Sequence, residues 1–72
     1  MPMDRTNAQA YVIERIEQVV GRVGYSKSSI YNFIADGTFP KPIKLGPRSV
    51  GWLSHEIDEW ISERIEKRNQ GH

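Results

Sequence analysis

Two glycines, Gly24 and Gly37, punctuate the first half of the chain, and each follows an amphipathic stretch too short to bury a core alone. Before Gly24, the residues Val12, Ile16, Val19, Val20 and Val23 recur at i, i+4, i+7, i+8 and i+11, the spacing of one helical face. Glycine tolerates the left-handed backbone that closes helices, so Gly24 reads as a stop. The β-branched residues leave two readings of the start: one continuous helix, or a short strand near residues 11–15 followed by a helix over 16–23. Beyond Gly24, Ser26 is suited to cap a helix that opens with Lys27, Ser28 and Ser29. Ile30, Phe33 and Ile34 form an i, i+3, i+4 stripe, and Gly37 after Asp36 closes the segment, so a second helix is predicted over about 27–36. Two short amphipathic helices joined by a tight glycine-containing turn are the mark of a helix-turn-helix.

The segment Thr38-Phe39-Pro40-Lys41-Pro42 cannot continue a helix, because its two prolines favour extended backbone. Ile43-Lys44-Leu45 alternates like a strand, Gly46-Pro47-Arg48-Ser49 is rich in turn formers, and Val50-Gly51-Trp52 alternates again. The stretch is predicted to be a β-hairpin with Ile43, Leu45, Val50 and Trp52 facing inward, Lys44 outward and Arg48 at the tip. Ser54 is then expected to cap a third helix. Glu56 and Asp58 lie in its first turns, where the helix dipole favours acids. Its apolar stripe is Ile57, Trp60, Ile61 and Ile65, and Glu63 and Lys67 are spaced to pair at i, i+4. The expected fold class is mainly α with a small β-hairpin, a winged helix-turn-helix in which the hairpin is the wing. Residues 1–10 are expected to be a flexible N-terminal segment, 11–68 the domain and 69–72 a frayed end.

At 72 residues the chain holds one domain, and a domain of this size buries only roughly 60% of its unfolded surface. It has no cysteine, so no disulfide supports the fold and no thiolate metal site exists. The two Trp, with Tyr25 and Phe39, are therefore assigned to packing. His55 has no second His at helical spacing, so no metal is expected. No serine has a plausible His partner, and there is no glycine-rich phosphate loop. Glu59 and Glu63 form an i, i+4 pair on what reads as a solvated helix. No enzyme activity, cofactor or small-molecule substrate is expected. No apolar run spans a membrane and no leader is evident, so a cytoplasmic, nucleoid-associated protein is expected.

The net charge of +1 says little, but its distribution says more. Residues 1–21 sum to −1 and residues 49–72 to −2. The middle stretch, 22–48, carries Arg22, Lys27, Lys41, Lys44 and Arg48 against Asp36 alone, for +4. A central basic segment flanked by acidic ones suits a surface that meets a polyanion.

The helix over 27–36 sharpens that reading. At 100° per residue, Ile30, Phe33 and Ile34 share one side, while Ser28, Tyr31, Asn32 and Ala35 share the other and Lys27 and Ser29 flank them. An ordinary solvated face is rich in Glu and Lys, as residues 56–68 are; this one is short, polar and almost uncharged. Asn pairs bidentately with adenine, and Ser and Ala allow close approach to base edges. Tyr31, the serines and the helix N-terminal amides suit phosphates. Arg48, at a hairpin tip, suits a phosphate or the minor groove, and Lys41 and Lys44 suit flanking phosphates.

The order and spacing of several motifs resemble the AlpA family of prophage regulatory proteins, which are similar in architecture to MerR-type domains and phage excisionases. The run Ser26-Lys27-Ser28-Ser29-Ile30-Tyr31, then Gly37-Thr38-Phe39-Pro40-Lys41-Pro42-Ile43-Lys44-Leu45-Gly46, Arg48 and Trp52, resembles the family's S-x-S-T-I-Y, G-x-F-P-x-P, L-G-x-R and W elements. Val19 to Gly24 and Ile57 to Ile61 resemble its first and last helices. Ser29 stands where Thr is commoner and keeps a hydroxyl. Tyr25 stands where an aliphatic residue is usual, and Pro47 stiffens the hairpin turn. The resemblance implies that Lys27, Ser28, Ser29, Tyr31 and Asn32 belong to a recognition helix and Arg48 to a wing. It implies sequence-specific binding of double-stranded DNA by a transcriptional regulator, expected to be an activator. An excision accessory factor for a phage-type recombinase is the alternative within that class. A protein-interaction module that does not bind DNA is the alternative outside it. Expected partners are double-stranded DNA, copies of the chain on adjacent sites, and, in the excision reading, a recombinase.

Overall fold

The structure is a computed structural model that describes residues 10–70. It contains three helices and a small three-stranded antiparallel sheet: strand β1 (Ile13–Glu14), helices α1 (Ile16–Val23) and α2 (Lys27–Asp36), strands β2 (Ile43–Gly46) and β3 (Ser49–Leu53), and helix α3 (Ser54–Gln70). The sheet order is β1-β3-β2. Of the two readings of residues 11–15, the strand followed by a helix is the one found. Ile13 pairs with Leu53 and Glu14 with Trp52, so the hairpin gains a third strand.

The helix ends follow local chemistry. The side chain of Gln18 accepts from the Arg15 backbone N–H at 2.8 Å at the start of α1. Gly24, at φ 80°, ends α1 by donating to the Val20 carbonyl. Ser26 caps α2 by accepting from the Ser29 backbone N–H at 3.2 Å. Gly37, also at φ 80°, closes α2 with a paired arrangement: its N–H reaches the Ile34 carbonyl and the Thr38 N–H reaches the Phe33 carbonyl at 2.9 Å.

Val19, Ile30, Phe39, Trp52, Ile57 and Trp60 form the buried core, with Ile16, Val20, Val23, Phe33, Ile34, Val50 and Ile61 packed around it. Both indoles satisfy their polar atoms on the proline-containing connection. Trp52 Nε1 donates to the Pro40 carbonyl at 2.9 Å and Trp60 Nε1 to the Thr38 carbonyl at 2.8 Å. The connection between α2 and the hairpin is thus pinned at two carbonyls from below.

The hairpin faces differ from the expectation. Ile43 pairs with Gly51 and Lys44 with Val50, and directly paired residues share a sheet face. Lys44 therefore rises from the face that carries Val50 and Trp52, while Ile43 lies on the other face. The register shifts between Lys44 and Gly46, which makes Leu45 the extra residue of a bulge. Ile43 is 37% exposed and Leu45 46%, so neither is core as expected. Simple alternation across the turn failed because the bulge changes the phase of one strand relative to the other. Gly51 stands under this outer face: a Cβ there would lie 2.5 Å from Ile13 Cγ2 and 3.1 Å from Leu45 Cδ1. Its missing side chain lets those two residues close over the sheet.

Ser54 is the first residue of α3 and not a cap outside it. Its hydroxyl donates to Glu14 Oε2 at 2.8 Å. Glu14 is buried, and the same oxygen accepts from Arg22, whose guanidinium also holds Asp58. Asp58 first, then Glu14, raise the Arg22 pKa above its ordinary value. This triad ties β1, α1 and α3 together. The i, i+4 pair expected between Glu63 and Lys67 is not among the ion pairs of the described residues, which are those of Arg22. α3 continues through Asn69 and Gln70, into the stretch expected to fray. The N-terminal segment expected to be flexible lies, apart from Ala10, outside the described residues. Among the described residues no helix is long and apolar enough to cross a membrane, and no group of three His, Asp or Glu is placed to hold a metal.

Candidate nucleic-acid interface

The outer face of α2 is built by its buried one. Ile30 is fully enclosed and Phe33 and Ile34 are half-buried, which fixes the helix rotation. Lys27, Ser28, Tyr31 and Asn32 consequently project to solvent. Ser29 departs from this set: it is half-buried, and its N–H and hydroxyl both meet the Ser26 hydroxyl, at 3.2 and 3.1 Å. Its role in the free protein is to complete the cap. That cap leaves the first backbone amides of α2 pointing out beside Lys27, a place where the helix dipole favours an anion.

The hairpin carries the other basic residues. Lys41, Lys44 and Arg48 are exposed, and none of them pairs with a carboxylate among the described residues. Gly46 pairs with Ser49, so Pro47-Arg48 is a two-residue turn. Proline at the first turn position fixes φ near about −65°, which excludes the mirror-image turns that match strand twist best. The bulge at Leu45 absorbs the mismatch and leaves Arg48 at the tip.

Tyr31 links the two parts. Its ring meets that of Trp52 edge-on, with centroids 6.3 Å apart and planes at 63°. Trp52 and Lys44 share a sheet face, so the Tyr31 ring of α2 and Lys44 lie on the same side of the sheet. Lys41 follows Pro40, whose carbonyl Trp52 holds. Arg48 lies at the far end of the hairpin, apart from this group. Nothing in the sequence spacing identified Trp52 as the link, because its partners lie 12 and 21 positions away.

Charge of the opposite sign collects elsewhere. Asp36, Glu56, Glu59 and Glu63 line an open groove of about 730 Å³ between the end of α2 and α3, over the Trp60 ring. The Arg64 guanidinium lies over that ring, 4.5 Å from its centroid. Arg64 and Lys67 line the same groove, so its four carboxylates are partly balanced by cations of α3 itself.

The family described as prophage CP4-57 regulatory protein (AlpA) matches residues 13–65, and the chain belongs to that family. The match takes in β1, all of α1, α2 and the hairpin, and α3 as far as Ile65. Over 64 residues the chain is 41% identical to a protein of Escherichia coli (strain K12) named DNA-binding transcriptional activator AlpA, covering 81% of this chain and 91% of that protein. It is 33% identical over 72 residues to the uncharacterized protein ORF88 of Enterobacteria phage P4, covering all of this chain and 80% of that one. No solved structure matches the chain.

Proposed function

We propose that this protein is a winged helix-turn-helix regulator that binds double-stranded DNA sequence-specifically and acts as a transcriptional activator. The observation that carries the reading is the joining of the polar face of α2 to the basic hairpin through Tyr31 and Trp52. The name of the Escherichia coli relative supports both the DNA partner and the activating role.

In this reading α2 enters the major groove. Asn32 reads a base, Ser28 allows close approach, and Lys27, Tyr31 and the first amides of α2, which the cap leaves free, meet phosphates. Ser29 contributes chiefly by holding the cap. Lys41 and Lys44 contact the backbone beside the groove, and Arg48 at the wing tip reaches a flanking phosphate or the minor groove. A chain this small reads few base pairs, so binding to repeated or paired sites by several copies follows. Its place of action is the cytoplasm, on the chromosome.

The test is a fluorescence-anisotropy titration against duplex DNA from the protein's own genomic neighbourhood and against random duplex, at two salt concentrations. If about four phosphates are neutralised, the salt slope is roughly −3.6 and affinity falls about 100-fold between 50 and 200 mM salt. Preference for the neighbouring DNA with that salt dependence supports the reading. Equal weak binding to both, or none at low salt, overturns it.

A further inference from the structure

α3 is longer than the body it packs on. Ile57 and Trp60 are buried and Ile61 is half-buried, but every residue from Ser62 to Gln70 is exposed. A helix end of that length gains little from propensity alone, since helices hold chiefly through a covered apolar face. An apolar face is nevertheless present. Ile65 is 46% exposed and continues the line of Ile61, and Tyr25, 43% exposed, stands beside them. Together with Val23, Arg22 and Arg64 these residues line a cleft of about 270 Å³.

The order of residues along this face decides what fits it. Asp58, Ile61, Ile65 and Arg68 lie within a narrow arc of the helix at 100° per residue. Read in one direction the arc is acid, apolar, apolar, base; read in the other it is the complement. If a second α3 runs antiparallel with its midpoint at position 63, Ile61 faces Ile65 of the other copy and Asp58 faces Arg68. Both charged groups can be reached from outside: Asp58 already holds Arg22 but its side chain is still 58% exposed, and among the described residues the Arg68 guanidinium meets Asn69 Oδ1, at 3.1 and 3.3 Å. Arg64, which flanks the face, is drawn over the Trp60 ring. Ser62, on the other flank, is small.

We infer that two copies of this chain associate through α3 as an antiparallel, two-fold symmetric pair, with Ile61 and Ile65 at its centre and Asp58–Arg68 pairs at its ends. The contact is isologous, as closed dimers require. It is also small, which places it among weak interfaces that strengthen when both copies are held on neighbouring DNA sites. The inference does not rest on DNA binding, and its test is made without DNA.

Sedimentation equilibrium of the full chain from about 10 µM to about 1 mM is expected to show a monomer–dimer equilibrium at low salt. Ile65→Asp and Arg68→Glu, both at exposed positions outside the core, are each expected to raise the dimer Kd at least about tenfold while circular dichroism stays unchanged. Spin labels on a single cysteine at Asn69, which lies beside the arc, report the orientation, because the chain has no other cysteine. An antiparallel pair sets the labels roughly 20 Å apart, and a parallel pair sets them about 10 Å apart. A monomer at every concentration, a dimer indifferent to both substitutions, or the short label distance would each overturn the inference.

Discussion

Tyr31, on the exposed face of α2, meets the buried Trp52 of β3 edge-on, and the Trp52 indole N–H in turn holds the Pro40 carbonyl. The helix proposed to read DNA, the connection that bears Lys41 and the hairpin that bears Lys44 are therefore oriented by one buried side chain. Tyr31 has two separable parts in this arrangement: a ring that packs and a hydroxyl free to meet a phosphate. Tyr31→Phe is expected to leave the melting temperature unchanged and weaken DNA binding by about 1 kcal/mol, equally on all sequences. Anisotropy on specific and random duplexes measures this. A selective loss on the specific duplex would make Tyr31 a base reader instead.

Asn32 and Lys44 separate base reading from phosphate contact. Asn32→Ala is expected to cost about 1–3 kcal/mol on the preferred site and to relax preference at one base pair. Lys44→Ala is expected to weaken binding on every sequence and to reduce the salt slope by about 0.9. Titrations over a panel of single-base variants at several salt concentrations distinguish the two. A change of base preference from Lys44→Ala would contradict its placement on the phosphates.

Gly51 tests the outer sheet face. An alanine Cβ there would meet Ile13 Cγ2 at 2.5 Å and also the Glu14 carbonyl oxygen at 3.1 Å, which is backbone and yields least. Gly51→Ala is expected to destabilise by about 1–3 kcal/mol, as overpacking does. The strain falls on β1, so amide exchange in residues 12–14 should quicken more than in α2. Uniform exchange across the chain would show that β1 is not the element displaced.

The Glu14 carboxylate is buried against Arg22 and the Ser54 hydroxyl, and its other oxygen has no hydrogen-bond partner among the described residues. Glu14→Ala would leave Arg22 with Asp58 alone and the Ser54 hydroxyl unpaired. Arg22 is one-third exposed, so solvent offsets part of the loss, and a destabilisation of about 1.5–3 kcal/mol is expected in chemical denaturation. A neutral result would mean that Arg22 and Asp58 hold α1 to α3 without β1.

Ser26 is the cap of α2 and receives the Ser29 amide. Ser26→Ala is expected to lower stability by about 1 kcal/mol. Because α2 is also the proposed reading helix, DNA affinity should fall with it. Unchanged affinity at full folding would show that the α2 amides do not take part.

The sequence by itself determined α2 and the end of α1, because their signals are local. Gly24, Ser26 and Gly37 set the ends of α1 and α2 through backbone conformation and hydrogen bonds that reach no further than five residues. The stripe of Ile30, Phe33 and Ile34 likewise fixed which face of α2 is exposed, and so most of the candidate site. The motif order was enough to point to the family. Only the tertiary structure decided the sheet. A strand of two residues carries no pattern of its own, so β1 exists because β3 offers it an edge and Glu14 finds Arg22 and Ser54. The bulge at Leu45 arises from reconciling a proline turn with strand twist, and it turned Ile43 and Leu45 away from the core and brought Lys44 to the side of the sheet on which the Tyr31 ring lies. These outcomes depend on partners distant in the chain, and pairing register, unlike helical periodicity, is fixed only when those partners meet.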